Sequence, residues 1–217
     1  RLWEANVNQR GGILGKKVKV IIYDDKSDTE TAKFLYETLI LKDKVNFLFG
    51  PYSSPMTEAV LPVTEKYNYP LIMTGAAGDG LWEKGYKNAI GVFVPASQYA
   101  KGLFEIIVKN DLNNIAIVSA DDAFSKGIAN GSQTWAKRLD LNIVFFGIFK
   151  KGMRDLTSFA QKAKESGAQV LIVGGHLDEA IDMRTALKKV HWYPKIYYAS
   201  VGPVQGDFYE KLNRFCV

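Results

Sequence analysis

The chain has 217 residues, 47% apolar and 24% charged, with 28 basic side chains against 23 acidic ones. This is ordinary globular composition and long enough for two small domains, so a disordered or fibrous chain is excluded. No run approaches the roughly 18 apolar residues that a membrane span needs. The net charge of +5 is spread along the chain in pairs such as Lys16-Lys17, Lys150-Lys151 and Lys188-Lys189, whereas a nucleic-acid surface is a clustered stripe. No nucleic-acid partner is expected.

Short apolar runs alternate with helical patterns. Val18–Tyr23 (VKVIIY) reads as a strand ending at Asp24-Asp25. Ala32, Leu35, Tyr36, Leu39 and Ile40 then follow the spacing of a one-sided helix. Val45–Phe49 is the next strand, stopped by Gly50-Pro51. A helix from about Ser54 has Pro55 suited to its first position, and Pro62 inside it should kink it. Tyr69–Met73 and Ile90–Val94 are the third and fourth strands, with the small-residue loop from Thr74 to Gly80 between them.

The pattern then restarts. A helix is expected over Ala96–Asn110, with Leu103, Ile106 and Ile107 on one face. Ile115–Ser119, Ile143–Phe149, Val170–Val173 and Ile196–Ala199 read as strands, separated by helices around 125–139, 156–166 and 178–190. The strands are continuously apolar, as expected for parallel strands covered on both faces. Their spacing suits a strand followed by a crossover helix. The reading is therefore α/β with two parallel-sheet units and a crossing near Val94-Pro95. Ligands of such sheets bind outside the carboxyl ends of the strands, so the loops that follow strands are the candidate sites.

Tyr52, Ser53 and Ser54 join a strand end to a helix start, where free amide groups and the helix dipole favour an anion. The other role for Ser54 is to cap the helix. Thr74, Gly75, Ala76, Ala77 and Gly78 form the adjacent strand-end loop, whose small residues either admit a ligand to the backbone or simply connect two elements. Asp121 and Asp122 suit a ligand cation or a helix cap. His176, after Gly174-Gly175, is a ligand contact or a base without an identifiable partner. The GxxxxGK[ST] phosphate loop, the GxSxG elbow and HExxH are all absent. A single cysteine, Cys216, excludes an internal disulfide and a Cys-based zinc site. No catalytic residue, metal or cofactor is expected.

The segment Val7–Lys17, followed by Tyr23-Asp24-Asp25-Lys26-Ser27-Asp28, resembles the N-terminal signature of periplasmic solute-binding proteins of the Leu/Ile/Val-binding type. The Gly50–Ser54 loop, Asp121-Asp122-Ala123-Phe124 and Lys150-Lys151-Gly152 with Asp155–Ser158 resemble the same family in the same order. The similarity runs from about Val7 to Tyr209. It implies the type I periplasmic-binding-protein fold: two Rossmann-like lobes, here about 1–94 and 95–217, with both sheets incomplete. It also implies a periplasmic or extracellular protein that closes on a small carboxylate or amino-acid-like ligand and delivers it to a membrane ABC permease.

Carried over residue by residue, the resemblance places Ser54 and the backbone around Ala76 and Gly78 at a ligand carboxylate. It matches Phe124 and His176 to second-lobe tyrosines, and Val201 to the acidic partner of an ammonium. Gly78, Phe124 and Val201 depart from that pattern. A buried ammonium without a carboxylate costs several kcal/mol, so an amine-free carboxylate stacking on Phe124 or Tyr52 is expected. Asp178, Glu179 and Asp207 are the nearby acids that could replace Val201. The chain opens inside a helix and stops where family members continue, so it is expected to be part of a longer chain or a truncated gene product, and it shows no leader peptide. A ligand sensor on the same fold, or an α/β enzyme, are the alternative functions.

Overall fold

A computed structural model describes residues 1–212. The second lobe as read above ends in residues 213–217, Cys216 among them, which lie outside the described residues. The strands form two separate parallel sheets. One has the order β1-β2-β3, from Leu48–Phe49, Leu71–Met73 and Ala89–Gly91. The other has the order β5-β4-β6-β7, with β4 Asn114–Ala120, β5 Asn142–Phe149, β6 Val170–Gly174 and β7 Ile196–Ala199. The chain is α/β, as the continuous apolar runs predict.

The strand expected at Val18–Tyr23 does not form a ladder. Backbone groups of an extended segment must bond somewhere, and here side chains of α1 (Leu2–Gln9) take the part of a neighbouring strand. Asn8 Nδ2 donates to the Val18 carbonyl at 2.7 Å, and its Oδ1 accepts from the Val18 amide at 2.6 Å. The Val20 amide donates to Glu4 Oε1 at 3.2 Å. Asp24 and Asp25 close the next turn by accepting from the amides of Lys26 and Ser27.

Helix α2 (Thr29–Leu41) starts at Asp28, whose carboxylate accepts from the Thr31 amide, and it buries Ala32, Tyr36 and Ile40. Helix α3 (Ser54–Lys66) has Pro55 in its first turn and runs on through Pro62. These two helices cover one face of the first sheet. A four-residue helix α4 (Gly80–Glu83) follows β2.

Beyond β3 the chain crosses to the second sheet through Val94-Pro95. The single helix expected over 96–110 is in fact a 3-10 turn at Ala96–Gln98 and then α5 (Lys101–Lys109). The split has a cause: the Ala96 amide donates to the Ala77 carbonyl at 2.6 Å, and the Ser97 amide to Asp79 Oδ2 at 3.0 Å, so the first turn is tied to the preceding unit. In α5, Leu103 and Ile107 are buried as expected. Ile106 is exposed, and Phe104 takes its place in the core.

The second sheet is covered on both faces. Ala116, Val118, Leu171 and Val173 pack with α7 (Thr157–Glu165), α8 (Leu177–Lys189) and α9 (Gly206–Leu212). Ile115, Ile117, Val170 and Ile172 pack on the other side with α5 and α6 (Ala123–Arg138). A small cluster of Ala77, Ala96, Phe124 and Ile128 joins the loop after β2 to the start of α6.

Candidate functional site

A cleft of about 220 Å³ lies at the carboxyl ends of strands from both sheets. Its first wall comes from the loops after β1 and β2: Tyr52, Ser53, Ser54, Gly75 and Ala77. The two loops are stitched together by the Ser53 amide donating to the Gly75 carbonyl at 3.1 Å. The Tyr52 ring lies so close to Gly75 that a Cβ there would stand 2.6 Å from Tyr52 Cδ2. Any side chain at residue 75 would displace that ring from this position.

The second wall comes from the starts of α6 and α8, Phe124 and His176, and from Ser200, Val201 and Val204 beyond β7. Phe93 and Tyr99, from the crossing, complete the lining. The Phe124 ring meets Tyr99 edge-on at 5.4 Å between centroids and lies 5.0 Å from the His176 ring, tilted 31°. The Tyr99 phenol is pushed up by burial and by the neighbouring Tyr52 phenol. The Tyr99 carbonyl accepts from the Tyr198 hydroxyl at 3.0 Å, which fixes this corner of the wall.

Ser54 is not the helix cap. Ser53 holds the cap position, with φ of +80°, and makes no side-chain cap bond. The buried Ser54 Oγ instead accepts from the amides of Ala77 at 3.2 Å and Gly78 at 2.8 Å. Both bonds use the oxygen as acceptor, so the hydroxyl proton takes no part in them.

Of the residues singled out in the sequence, the structure brings Tyr52, Ser53, Ser54, Ala77, Phe124, His176 and Val201 into one cleft. Ala76 and Gly78 are buried behind it and Thr74 is exposed outside it. Gly75, part of the strand-end loop singled out in the sequence, lines the cleft as well. Sequence reasoning missed Phe93, Tyr99, Ser200 and Val204, and Ser200 stands beside a residue it named. Phe93 and Tyr99 carry no local signal, because the crossing alone delivers them.

Asp122 caps α6, accepting from the amides of Phe124 and Ser125 at 3.1 Å each, and Asp121 accepts from the Lys151 amide at 2.9 Å. Burial pushes the Asp122 carboxyl up, but bonds from the Ser125 hydroxyl and amide, with Lys151 and His176 nearby, outweigh it and hold it below the usual range. His176 is pushed down, first by burial and then by Lys151, against the opposing charges of Asp122 and Glu179. Asp178 pairs with Arg154 and Lys211, and Glu179 accepts from the His176 amide at 2.9 Å. Neither these acids nor Asp207 lines the cleft, which holds no Asp, Glu, Lys or Arg among the described residues.

The family model for periplasmic binding proteins matches residues 1–205. The chain belongs to that family. It is 24% identical over 176 residues to the Leu/Ile/Val-binding protein of Escherichia coli (strain K12), covering 81% of this chain and 48% of that protein. The chain thus spans about half the length of the curated relatives it matches. Among solved structures it resembles the branched-chain amino acid transporter substrate binding protein LivJ from Streptococcus pneumoniae in complex with isoleucine. That match has a TM-score of 0.81 at 25% identity, covering 98% of this chain and 60% of the other. It also resembles a solute binding protein of an ABC transporter from Rhodopseudomonas palustris BisB5 in complex with 3,4-dihydroxy benzoic acid, with a TM-score of 0.73 at 20% identity over 85% of this chain and 51% of the other. The fold is that of type I periplasmic binding proteins. No helix among the described residues is long and apolar enough to cross a membrane.

Proposed function

We propose that this chain forms the ligand cleft of an extracytoplasmic solute-binding component of an ABC importer, and that its ligand is a small aromatic carboxylate without an amine. The units on either side of the crossing, about 1–94 and 95–217, close on the ligand and present it to a membrane permease. A ligand drives closure only through contacts made with both units at once. The cleft supplies such contacts from Ser54 on one side and from Phe124 and His176 on the other.

The observation that carries the ligand class is the lining itself. An α-amino acid brings an ammonium whose burial is costly without a carboxylate partner, and no acidic side chain among the described residues lines this cleft. A planar ring instead finds Tyr52, Phe93, Tyr99 and Phe124 around it. Its carboxylate finds hydroxyls and the first turn of α3, where helix dipole and free amides favour negative charge. The relatives solved with isoleucine and with 3,4-dihydroxybenzoic acid show that both chemistries occur on the fold.

The test is a thermal-shift and calorimetric comparison of 3,4-dihydroxybenzoate, benzoate, isoleucine and leucine on the full-length mature protein. A ligand at 100 times its Kd adds about 2.7 kcal/mol, which raises Tm by several degrees at roughly 2–4 °C per kcal/mol. The aromatic acids are expected to give that rise and to be recovered unchanged. A larger rise with isoleucine would overturn the ligand class, and conversion of the bound acid would overturn the binding-protein reading. With the aromatic acid, Ser54→Ala is expected to cost about 1–3 kcal/mol of affinity through loss of a charge-assisted bond, read by calorimetry.

A further inference from the structure

The stretch Ala77-Gly78-Asp79 is bonded at one end to the cleft and at the other to the crossing between the sheets. At the cleft end, the amides of Ala77 and Gly78 donate to Ser54 Oγ. At the crossing end, the Ala77 carbonyl accepts from the Ala96 amide at 2.6 Å. Asp79 Oδ1 accepts from the Ser97 hydroxyl at 2.5 Å, and Asp79 Oδ2 from the Ser97 amide at 3.0 Å. The peptide between Ala77 and Gly78 therefore bonds Ser54 through the Gly78 N–H and the crossing through the Ala77 C=O.

The crossing end has little freedom to absorb a displacement. Helix α6 packs against the 3-10 turn with glycines at the contact: a Cβ on Gly131 would stand 2.1 Å from the Ser97 carbonyl oxygen, and one on Gly127 2.9 Å from Asp79 Oδ2. Asp79 also borders a groove of about 290 Å³ that it shares with Glu83 and with Asn130, Thr134 and Trp135 of α6. So a carboxylate from the first unit fixes the turn that leads into the second, directly against the second unit's first long helix.

We propose that residues 77–79 form a strap through which an oxygen captured at Ser54 alters the setting of the crossing, with Asp79 as the positioning residue. This rests on the reading of the cleft as a carboxylate site. A ligand oxygen that draws on the Ser54 hydroxyl loosens its hold on the Ala77 and Gly78 amides and so moves the same stretch that holds Ala96 and Ser97. Capture at the first wall and the approach of the second wall are then one event. Asp79 touches no ligand and acts only through Ser97.

The test has one arm without ligand and one with it, both on the full-length mature protein. In the first, amide hydrogen exchange is measured by NMR in Ser54→Ala and in Ser97→Ala, the latter removing only the hydroxyl leg of the strap. Exchange is expected to quicken at both ends in each variant: at Ala96 and Ser97 when Ser54 is changed, and at Ala77 and Gly78 when Ser97 is changed. Effects confined to the altered residue's own partners would overturn the strap, whatever the ligand. In the second arm, Asp79→Ala is expected to weaken 3,4-dihydroxybenzoate about tenfold. Its effect should shrink in the Ser54→Ala background, since coupled sites are non-additive. Additive effects, or a lower ligand-free Tm with unchanged Kd, would make Asp79 merely structural. If Asp79→Ala does not fold, Ser97→Ala takes its place in the cycle. Should the wild type bind no aromatic acid, the ligand reading fails alone, and the exchange arm still decides the strap.

Discussion

The two sheets are built from similar runs of apolar residues and differ in what covers them. In the second sheet, Ile115, Val170 and Ile196 are in register, as are Ile117, Ile172 and Tyr198, and helices pack on both faces. In the first, one row of Leu48, Leu71 and Ala89 faces the helices, while the next row of Phe49, Ile72 and Ile90 faces away. Phe49 is 58% exposed and Ile90 49%. An apolar run thus specifies a backbone suited to a sheet, and the elements around it decide whether one face or two are buried.

The largest test of this contrast is a matched pair of truncations. Ile172 is fully buried in the middle of the second sheet, so Ile172→Ala is expected to cost about 2–5 kcal/mol through lost transfer energy and a residual cavity. Ile72 holds the corresponding central place in the first sheet but is only half-buried, and Ile72→Ala is expected to cost about 1 kcal/mol. Urea denaturation of both variants reads the difference directly. Equal losses would mean that the outer face of the first sheet is covered in solution.

A second pair compares two helix glycines. Gly131 meets backbone atoms of Ser97, which cannot rotate away, so Gly131→Ala is expected to destabilise by about 1–3 kcal/mol through overpacking. Gly102 in α5 faces open space, and Gly102→Ala is expected to stabilise by up to about 1 kcal/mol by reducing the freedom of the unfolded chain. A small effect at Gly131 would show that the turn at 96–98 is softer than its packing implies, and would weaken the strap as well.

What was legible in the sequence follows the same division. Strands β4 to β7 lie within a residue of their expected ends, and of these β4 and β6, buried on both faces, announce themselves by composition alone. Val18–Tyr23 has the same composition and no ladder. Pairing needs a neighbour, and Asn8 and Glu4 occupy that place through side chains that no period reveals. The candidate site shows the same limit. Loops that directly follow strands were legible from topology, whereas Tyr99 and Phe93 enter the cleft only because the crossing folds back, and Ser54 turned to Ala77 and Gly78 instead of its own helix.

Asp122 and His176, in two carboxyl-end loops of the second sheet, are both held below their ordinary values, so each makes stability fall as pH falls, in a different pH range. His176 is held below its ordinary value of 6.5. The unfolded chain therefore takes up this proton first as pH falls. Stability is unaffected above about pH 6.5 and falls from there until the folded histidine is also protonated. Asp122 is held below its ordinary value of 3.8, so its contribution is present above that pH and lost as pH falls through the lower folded value. His176→Gln is expected to flatten the first limb of a Tm-against-pH profile and leave the second in place. A first limb that survives the substitution would assign it to another group.

The smallest expected effect on stability comes from the exposed row of the first sheet. Replacing Phe49 by Ser removes a ring whose greater part already lies in solvent, so the unfolding free energy is expected to change by no more than about 0.5 kcal/mol. Association should respond instead. Phe47, Phe49 and Ile90 are all exposed large apolar side chains, and contiguous apolar surface favours self-contact. Sedimentation velocity of the 217-residue chain over a concentration series is expected to show self-association that Phe49→Ser reduces. A loss of several kcal/mol from this one substitution would mean that the row is buried in solution. The two sheets would then differ in what covers them and not in how much of them is covered.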